Sequence, residues 1–227
     1  MQLAIDKKEA PADVGERPLG FPMRPWWFYS ATCKRGLDLL LAVIGLVATL
    51  PLWLLIAVSI KLDSPGPVFF VQERVGLQGR RFRFYKFRSM THGADQLKSQ
   101  LDHLNEAGGP VFKVRRDPRT TRVGRLLRRT SLDELPQLVN VIRGEMSLVG
   151  PRPPLPDEVT HYRPSDMVRL AVKPGLTCWW QVRGRSHCDF DTWMAYDREY
   201  VYGLSLWVDA VILLRTVWAV LSCRGAY

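Results

Sequence analysis

The chain has 227 residues, of which 47% are hydrophobic, enough for a packed core in one sizeable domain or in one domain with an appendage. Its net charge of +10 and pI near 9.8 indicate anionic partners: nucleic acid, acidic lipid headgroups or phosphorylated small molecules. Four cysteines without a C-x-x-C pair and four scattered histidines argue against a disulfide framework and against a zinc site.

The start of the chain is predicted to be a tail. We group residues 1–32 as a flexible tail because residues 1–25 are polar and interrupted by proline and glycine. The aromatic cluster WWFY at 26–29 is typical of the bilayer interface when it lies beside an apolar segment; a contact in a protein core is the alternative.

The next segment, residues 33–62, is predicted to enter a membrane. Residues 36–60 carry one charge, Asp38, and roughly 20 apolar residues are enough to cross a bilayer as a helix. Pro51 in the middle cannot donate a backbone hydrogen bond, so we expect the helix to break there. Basic residues flank both ends, and positive flanks prefer the cytoplasmic side. We therefore predict a re-entrant helix–break–helix, with a single span as the alternative.

Residues 63–227 are predicted to form a second, folded unit that begins with a β-hairpin. Residues 67–76 are β-branched and aromatic, 76–79 have the composition of a hairpin loop, and 80–90 alternate basic and aromatic residues as a return strand. The alternation slips at 84–85, which predicts a bulge that re-aims Lys86 and Arg88. Basic–aromatic interleaving is also typical of proteins that bind single-stranded nucleic acid.

A dense basic run at 113–129 leads into an acid pair. Helical spacing of apolar residues places several of its arginines on one short helix: Arg122, Arg125, Arg128 and Arg129. Ser131 and Glu134 fit a capping box, which would start a helix and would make Asp133 and Glu134 simple caps.

The alternative for the acid pair is phosphate chemistry. A carboxylate among arginines is expected to stay ionised. An ionised Asp133 could attack phosphorus or hold Mg²⁺, while arginines neutralise the phosphate oxygens. Arg152 follows in a stiff Pro-rich turn that suits contact with a phosphate; an exposed arginine in a connector is its plain alternative.

The remaining sequence predicts a strand and two or three helices. Residues 173–185 indicate a strand that places Gln181, Arg183 and Arg185 on one face. Residues 166–172 and 189–202 indicate helices, the second with Asp197 near its end. Residues 204–221 suit an amphipathic helix at a membrane interface, with packing against the protein body as the alternative. The predicted fold is α+β and mostly helical: a monotopic membrane protein with a Pro-broken re-entrant helix, a small β-hairpin and interfacial amphipathic helices.

Several motifs in one order resemble a known family. They are KRGLDLLLAVIGL followed by proline, DSPGPVFFVQERVG, YKFRSM, RRTSLDELPQLVNVIRGEMSLVGPRPPLP and VKPGLT with a following WQV. Together they are similar to the bacterial sugar transferases, the monotopic polyprenyl-phosphate phosphoglycosyl transferases, over about residues 33–227. The branch that transfers hexose 1-phosphate, glucose or galactose, is the most similar, in its minimal catalytic form.

The resemblance implies an enzyme that moves a sugar 1-phosphate from a UDP-sugar to undecaprenyl phosphate and releases UMP. Asp133 would be the nucleophile and a Mg²⁺ ligand, and Glu134 would assist it. The remaining site residues implied by the family motifs are phosphate-binding Lys86, Arg88, Arg128, Arg152 and Arg185, and nucleotide or sugar contacts Gln181 and Asp197.

The resemblance also implies where such an enzyme works. Residues 63–227 would be a catalytic domain on the cytoplasmic face of the bacterial inner membrane, serving exopolysaccharide or O-antigen assembly. Anionic membrane lipids would be partners, nucleic acid would not, and a homodimer stays open. Three residues depart from the family pattern: Leu50, where some members have Ser; Cys178, where Gly is usual; and Arg183, where a small or polar residue is common.

Two other hypotheses for the function are compatible with the sequence. One is a membrane-anchored protein that binds acidic lipids and uses Asp133 and Glu134 only as caps. The other is a nucleic-acid-binding protein that uses the basic runs at 80–88 and 113–129. The apolar segment and the acid pair argue against the second.

Overall fold

The architecture starts from one long apolar helix. In the computed structural model, residues 32–97, 99–106, 110–112, 114, 117–183 and 189–221 are described. The tail at 1–31 and Arg185 lie outside these residues. The apolar segment forms helix α1, Lys34–Asp63, which has 30 residues.

Helix α1 continues through Pro51, so the predicted break into two helices is not seen. A proline removes one backbone hydrogen bond, and the bonds of the turns on either side are enough to keep the helical path. The Thr49 hydroxyl adds local bonds: it donates to the Gly45 carbonyl at 2.7 Å and accepts from Trp53 Nε1 at 3.2 Å. Thr49 thus supplies a hydroxyl one residue before Leu50.

Both ends of α1 are bound to the same folded body. Near its start, Arg35 donates to the carbonyls of Val141 and Ile142 at 2.6 and 2.8 Å. At its end, Asp63 Oδ2 accepts from the Val123 amide at 2.9 Å. The helix therefore lies along this body instead of standing away from it.

The single acidic residue of the apolar run faces the protein. Asp38 is buried, and its Oδ1 accepts from the Leu148 amide at 2.9 Å and from the Ser147 hydroxyl at 3.1 Å. The neighbouring Lys34 forms a buried ion pair with Asp209. The buried charges Lys34 and Asp38 thus point inward and have polar partners, as buried charges must.

The opposite face of α1 is exposed and apolar. Its length and composition are sufficient for a membrane helix, and only 11% of its most apolar window is buried. The exposed large apolar side chains of α1 are Leu37, Leu39, Leu40, Leu41, Val43, Ile44, Val47, Leu50, Leu54, Leu55, Val58 and Leu62. An unpaired apolar surface of this length is typical of contact with lipid.

The predicted hairpin is present and regular. Strands β1, Phe69–Val75, and β2, Arg81–Phe87, pair antiparallel with one unbroken register, so the predicted bulge is wrong. The slip in the sequence pattern has another cause. Phe84 is buried in the main core on one face of β2, while Phe87 is buried on the other face against Trp53 of α1, 5.2 Å between ring centroids.

The acid pair does not cap a helix. Helix α2, Arg122–Thr130, ends at Ser131, which is in the left-handed conformation with φ 59° and therefore closes that helix. Asp133 and Glu134 then lie in a 3₁₀ turn, Leu132–Glu134, and helix α3 is Gln137–Arg143. The predicted capping box is wrong, because a left-handed Ser131 follows one helix and its side chain makes no cap bond to the next.

A short parallel pair connects the middle of the chain. Strand β3, Ser147–Val149, pairs with β4, Gly175–Thr177, and helices α4, Pro156–Val159, and α5, Trp179–Arg183, follow them. The predicted strand at 173–185 is therefore correct only for its first part. Helical turns place Gln181 and Arg183 on different sides, so their predicted common face is wrong. A 3₁₀ helix, Pro164–Ala171, occupies the predicted helix at 166–172.

Two helices complete the described chain: α6, Phe190–Gly203, and α7, Leu206–Leu221. Asp189 caps α6 by accepting from the Thr192 amide at 2.7 Å. Helix α7 packs inward through the fully buried Ile212 and exposes Trp207, Leu214 and Trp218 by more than two thirds. The packing alternative is confirmed for the inner face, whereas contact of the exposed face with a membrane interface stays a prediction.

The main core joins both ends of the described chain. It contains Ala42 of α1, Phe84 of β2, Val141 of α3 and Ile212 of α7. The fold is mostly helical with a small antiparallel hairpin, as the sequence predicts, and its apolar helix is continuous where a break is predicted. The boundaries at 33, 63 and 204 remain predictions.

Candidate active site

Most of the predicted site residues line one open cavity of about 1370 Å³. The cavity lies between β2, the turn after α2, the Pro-rich turn after β3, α5 and α7. The predicted residues on its wall are Lys86, Arg88, Arg128, Asp133, Glu134, Arg152 and Gln181. Segments more than 90 residues apart in sequence are therefore brought to one place.

Lys86 bridges the two carboxylates. Its Nζ lies 2.7 Å from Glu134 Oε1 and 3.5 Å from Asp133 Oδ2. The Asp133 side chain is 8% exposed and that of Glu134 is 22% exposed. The lysine thus holds the pair at the cavity wall and balances part of its charge.

Asn140, which the sequence does not single out, fixes the strand that carries Lys86. It is fully buried on α3; its Nδ2 donates to the Arg83 carbonyl at 2.6 Å and its Oδ1 accepts from the Tyr85 amide at 3.2 Å. The side-chain amide therefore pairs with the outer edge of β2 as a neighbouring strand would. The only signal in the sequence is one polar residue within the apolar stripe of α3.

The carboxyl groups of Asp133 and Glu134 are shifted in opposite directions. Burial raises the pKa of Asp133, and the neighbouring Glu134 adds to this, while Lys86 opposes it. Burial also opposes ionisation of Glu134, yet Lys86 and Arg152 together hold its pKa below its usual value. The expectation that the surrounding cations keep Asp133 easily ionised is corrected: loss of hydration is the larger effect at this depth. A carboxylate with a raised pKa is the more basic of the two.

The arginines that are predicted to bind phosphate differ in the hydrogen bonds that they already make within the protein. Arg152 makes no side-chain hydrogen bond within the described part of the chain, and Arg128 donates to the Thr120 hydroxyl at 3.1 Å. Arg88 is 5% exposed and donates to the carbonyls of Pro65 and Ser64 at 2.5 and 2.7 Å. Arg88 thus binds the segment directly after α1, whereas the side chain of Arg152 is available to a ligand.

The two predicted nucleotide or sugar contacts lie in different surroundings. Gln181 is on the cavity wall and accepts from the Cys178 thiol at 3.4 Å. Asp197 is 2% exposed, does not line the cavity, and forms an ion pair with Arg169 at 2.9 Å. Burial raises the pKa of Asp197 to about 6. Its place is behind the wall, although its contact with substrate remains a prediction.

The residues that depart from the family pattern have partners of their own. Cys178 is buried, which raises the pKa of its thiol well above the usual value. Arg183 pairs with Glu199 at 2.6 Å and stacks on the ring of Trp179, 3.8 Å from its centroid. Both side chains are occupied by neighbouring parts of the protein.

The acid pair is chemically suited to a metal ion shared with a substrate. Among the described residues no cluster of three acidic, histidine or cysteine side chains forms a complete cage. Mg²⁺ commonly takes one or two protein carboxylates and completes its shell with phosphate oxygens and water. Asp133 with Glu134 supplies such a donor set on a wall where Arg152 favours phosphate.

A mostly helical protein with an exposed apolar helix and an acid–lysine pair in a basic cavity has the features of a membrane-associated enzyme of phosphate chemistry. Comparison with known sequences gives the family: the model of the bacterial sugar transferases matches residues 29–223, and the chain belongs to this family.

Three relatives show how the similarity is distributed. The galactosyl transferase CpsE of Streptococcus agalactiae is 41% identical over 98% of this chain and 49% of its own length. The exopolysaccharide production protein ExoY of Rhizobium meliloti is 42% identical over 86% of this chain and 88% of its own. The undecaprenyl-phosphate galactose phosphotransferase of Salmonella typhimurium is 42% identical over 86% of this chain and 41% of its own length. The chain thus spans about half of some relatives and most of others.

Proposed function

We propose that the protein transfers a sugar 1-phosphate from a UDP-sugar to undecaprenyl phosphate and releases UMP. The observation that carries the proposal is the buried carboxylate of Asp133, whose pKa is raised. It lies 3.5 Å from Lys86 Nζ and lines the same cavity as Arg152, whose side chain makes no hydrogen bond in the described part of the chain. Relatives named undecaprenyl-phosphate galactose and glucose phosphotransferases support the lipid acceptor.

The first half-reaction is displacement at the β-phosphorus of the donor. A carboxylate oxygen of Asp133 forms a bond to phosphorus, and the bond between that phosphorus and the bridging oxygen breaks, so that UMP leaves with the electron pair. Asp133 then carries the phosphosugar. Its raised pKa makes the ionised oxygen more basic than that of Glu134, which favours it as the nucleophile.

The second half-reaction restores the enzyme. A phosphate oxygen of undecaprenyl phosphate attacks the same phosphorus, the Asp133–phosphorus bond breaks, and the lipid diphosphate sugar leaves. Glu134 stays ionised and holds Lys86 at 2.7 Å, so the lysine remains beside the reacting phosphate in both steps. Arg152 and Arg128 neutralise phosphate oxygens as charge shifts between them.

Mg²⁺ fits this proposal as a cation held by Asp133 together with the diphosphate of the donor. When bound, it would neutralise charge on the diphosphate and so help UMP to leave. The protein residues act beside it: Lys86 orients the acid pair, and Arg152 supplies the second positive charge.

We also propose that the protein enters the cytoplasmic membrane from the cytoplasmic side only. The attachment of both ends of α1 to one body supports this: Arg35 binds the end of α3, and Asp63 binds the start of α2. A helix crossing the bilayer would place these ends on opposite sides of a hydrocarbon core that is about 30 Å thick. The exposed leucines of α1 and the two exposed tryptophans of α7 would contact lipid.

A hexose 1-phosphate is the proposed group, as galactose and glucose occur in the names of the relatives. ExoY is named an exopolysaccharide production protein, and we propose the same kind of pathway for this chain. Anionic lipids around the membrane helix would balance the net charge of +10.

The test is release of UMP from a panel of UDP-sugars by the purified protein in detergent with undecaprenyl phosphate. We expect turnover to fall at least about 10³-fold in both Asp133→Asn and Asp133→Ala, because a nucleophile is removed. Asp157→Asn, which changes an exposed acid on α4, is the matched control and should keep full activity. Unchanged turnover in both Asp133 variants would overturn the proposal.

A further inference from the structure

The Pro-rich turn after β3 is held by hydrogen bonds to every one of its successive carbonyls. The donors to residues 151–154 come, in order, from the Gly175 amide at 2.9 Å, Arg169 Nη2 at 2.8 Å, Arg74 Nη1 at 3.0 Å and the Val75 amide at 3.0 Å. Prolines have no amide hydrogen, so such a turn cannot secure itself through its own donors. It is fixed through its carbonyls by the surrounding chain.

Arg169 binds the backbone of Arg152, the arginine of the Pro-rich turn. It binds the carbonyl of Arg152, while the side chain of Arg152 lies on the cavity wall without a hydrogen bond to any described residue. Arg152 also acts electrostatically on Glu134. Anything that fixes the backbone of Arg152 therefore fixes the point from which its positive charge extends towards the acid pair.

Arg169 is itself tightly constrained. It is 2% exposed, forms its ion pair with Asp197 at 2.9 Å, and donates to the hydroxyl of Tyr162. Its guanidinium also lies over the rings of Tyr162 and Trp193, each 5.3 Å from the centroid. Its two terminal nitrogens divide these contacts: Nη1 donates to the Tyr162 hydroxyl, whereas Nη2 donates to the Arg152 carbonyl and pairs with Asp197. A lysine has only one nitrogen to serve these two positions.

We propose that Arg169, charge-balanced by Asp197, is a positioning residue that acts through the carbonyl of Arg152 and thereby aims the Arg152 guanidinium at the phosphates of the donor. The inference rests on the proposed function in that Arg152 binds the donor. It gives Asp197 a role behind the cavity wall, in place of the predicted contact with nucleotide or sugar.

The proposal predicts that Arg169 and Arg152 are coupled. Arg169→Lys keeps the charge but has one nitrogen, which cannot occupy both the Nη1 position beside Tyr162 and the Nη2 position beside the Arg152 carbonyl. The backbone from which the Arg152 guanidinium extends is therefore held less firmly. We expect UDP to bind about 10-fold more weakly in this variant, because small misplacements of a binding group have large effects. In an Arg152→Ala background the same change should have little further effect, since there is no guanidinium left to aim.

The experiment is a double-mutant cycle on the full chain in detergent. The dissociation constant of UDP is measured by equilibrium dialysis for the wild type, Arg169→Lys, Arg152→Ala and the double variant, and the KM for UDP-sugar is measured in parallel. Tyr162→Phe is the matched control: it disturbs the same buried cluster but leaves the bond from Arg169 to the Arg152 carbonyl, so UDP affinity should stay within about 2-fold of the wild type.

The outcomes separate the two proposals. Non-additive effects of Arg169→Lys and Arg152→Ala on UDP affinity support the positioning role. Additive effects, or an equal loss in Tyr162→Phe, show that Arg169 merely stabilises the fold and overturn the inference. Failure of the proposed function would appear instead in the wild type, as UDP binding without release of UMP from any UDP-sugar.

Discussion

Lys86 Nζ lies 2.7 Å from Glu134 Oε1, so one cation from the hairpin is bound to the acid pair that follows α2. The same nitrogen is 3.5 Å from Asp133 Oδ2. Because one lysine serves two carboxylates with opposite pKa shifts, its charge controls the protonation of the site.

Replacing Lys86 should therefore change the pH dependence of catalysis. Its charge lowers the pKa of both carboxyls, so Lys86→Met should raise both pKa values. Activity that needs an ionised carboxylate increases as pH rises through its pKa, so the acidic limb of the profile of kcat against pH should move to higher pH. We also expect kcat to fall about 10²-fold at neutral pH, as on loss of one charge-stabilising donor.

The control for this experiment is Lys86→Arg, which keeps the charge and should leave the acidic limb close to its original position. Rates of UMP release across the pH range check both variants. An unshifted limb in Lys86→Met would show that Lys86 does not set the protonation of the pair.

Asn140 should matter for both stability and rate. Asn140→Ala removes the partners of the Arg83 carbonyl and the Tyr85 amide at a fully buried position. Leaving buried groups unsatisfied costs about 1–3 kcal/mol, so the free energy of unfolding should fall by this amount. Since Lys86 follows directly on the same strand, kcat should fall as well.

The measurement is denaturant unfolding together with UMP release. Asn105→Ala, at an exposed position outside the residues of β2, is the control; it should keep kcat and lower stability by less than Asn140→Ala does. A variant of Asn140 that lost stability yet kept kcat would show that the strand edge does not position Lys86.

Asp197 should make the protein less stable as pH rises through the weakly acidic range. Its pKa is about 6 in the folded protein because of burial, against 3.8 for an ordinary aspartate. The folded state therefore holds the proton more tightly than the unfolded state. The associated stability, about 3 kcal/mol, is fully present below pH 3.8, is lost as pH rises to about 6, and is constant above that.

Unfolding free energies of the wild type and of Asp197→Asn between pH 4 and pH 7 test this. The difference, wild type minus variant, should decrease with pH and level off above about pH 6. Asp157→Asn should follow the wild-type curve. Parallel curves for the wild type and Asp197→Asn would contradict the raised pKa.

The attachment of α1 at both ends predicts its topology. In variants that keep one accessible cysteine, either the native Cys33 or Lys61→Cys, a membrane-impermeant maleimide should reach both positions from the same side. The exposure of Cys33 and Lys61 makes them suitable reporters. Labelling from opposite sides would show a single span and would overturn the monotopic proposal.

Pro51 gives a second measurement of the same prediction. If the proline disfavours a straight span, Pro51→Ala should increase the fraction of protein whose two ends label from opposite sides. Leu50→Ala, which changes the neighbouring exposed position and retains the proline, should behave as the wild type. An unchanged Pro51→Ala protein would leave the two end attachments as the cause of the topology.

The elements that could be predicted are those whose signal is local. The β-branched and aromatic composition of residues 67–76 is sufficient for a strand, and the spacing of Val123 and Leu127 for a helix that carries Arg128. The errors occur where distant contacts decide. The apparent bulge in β2 results from two cores that cover its two faces, and the supposed cap at Ser131 is the closed end of the preceding helix.

The sequence by itself determined the chemistry available: an acid pair, an excess of arginine and lysine, one apolar segment interrupted by Pro51, and motifs of one family. Only the tertiary structure decided which groups meet. It joins Lys86 to Glu134, engages Arg88 with the chain after α1 and leaves Arg152 on the cavity wall, and it places Asp197 behind that wall with Arg169. The physical reason is that side-chain type follows from one position in the chain, whereas burial and pairing depend on segments far apart in it.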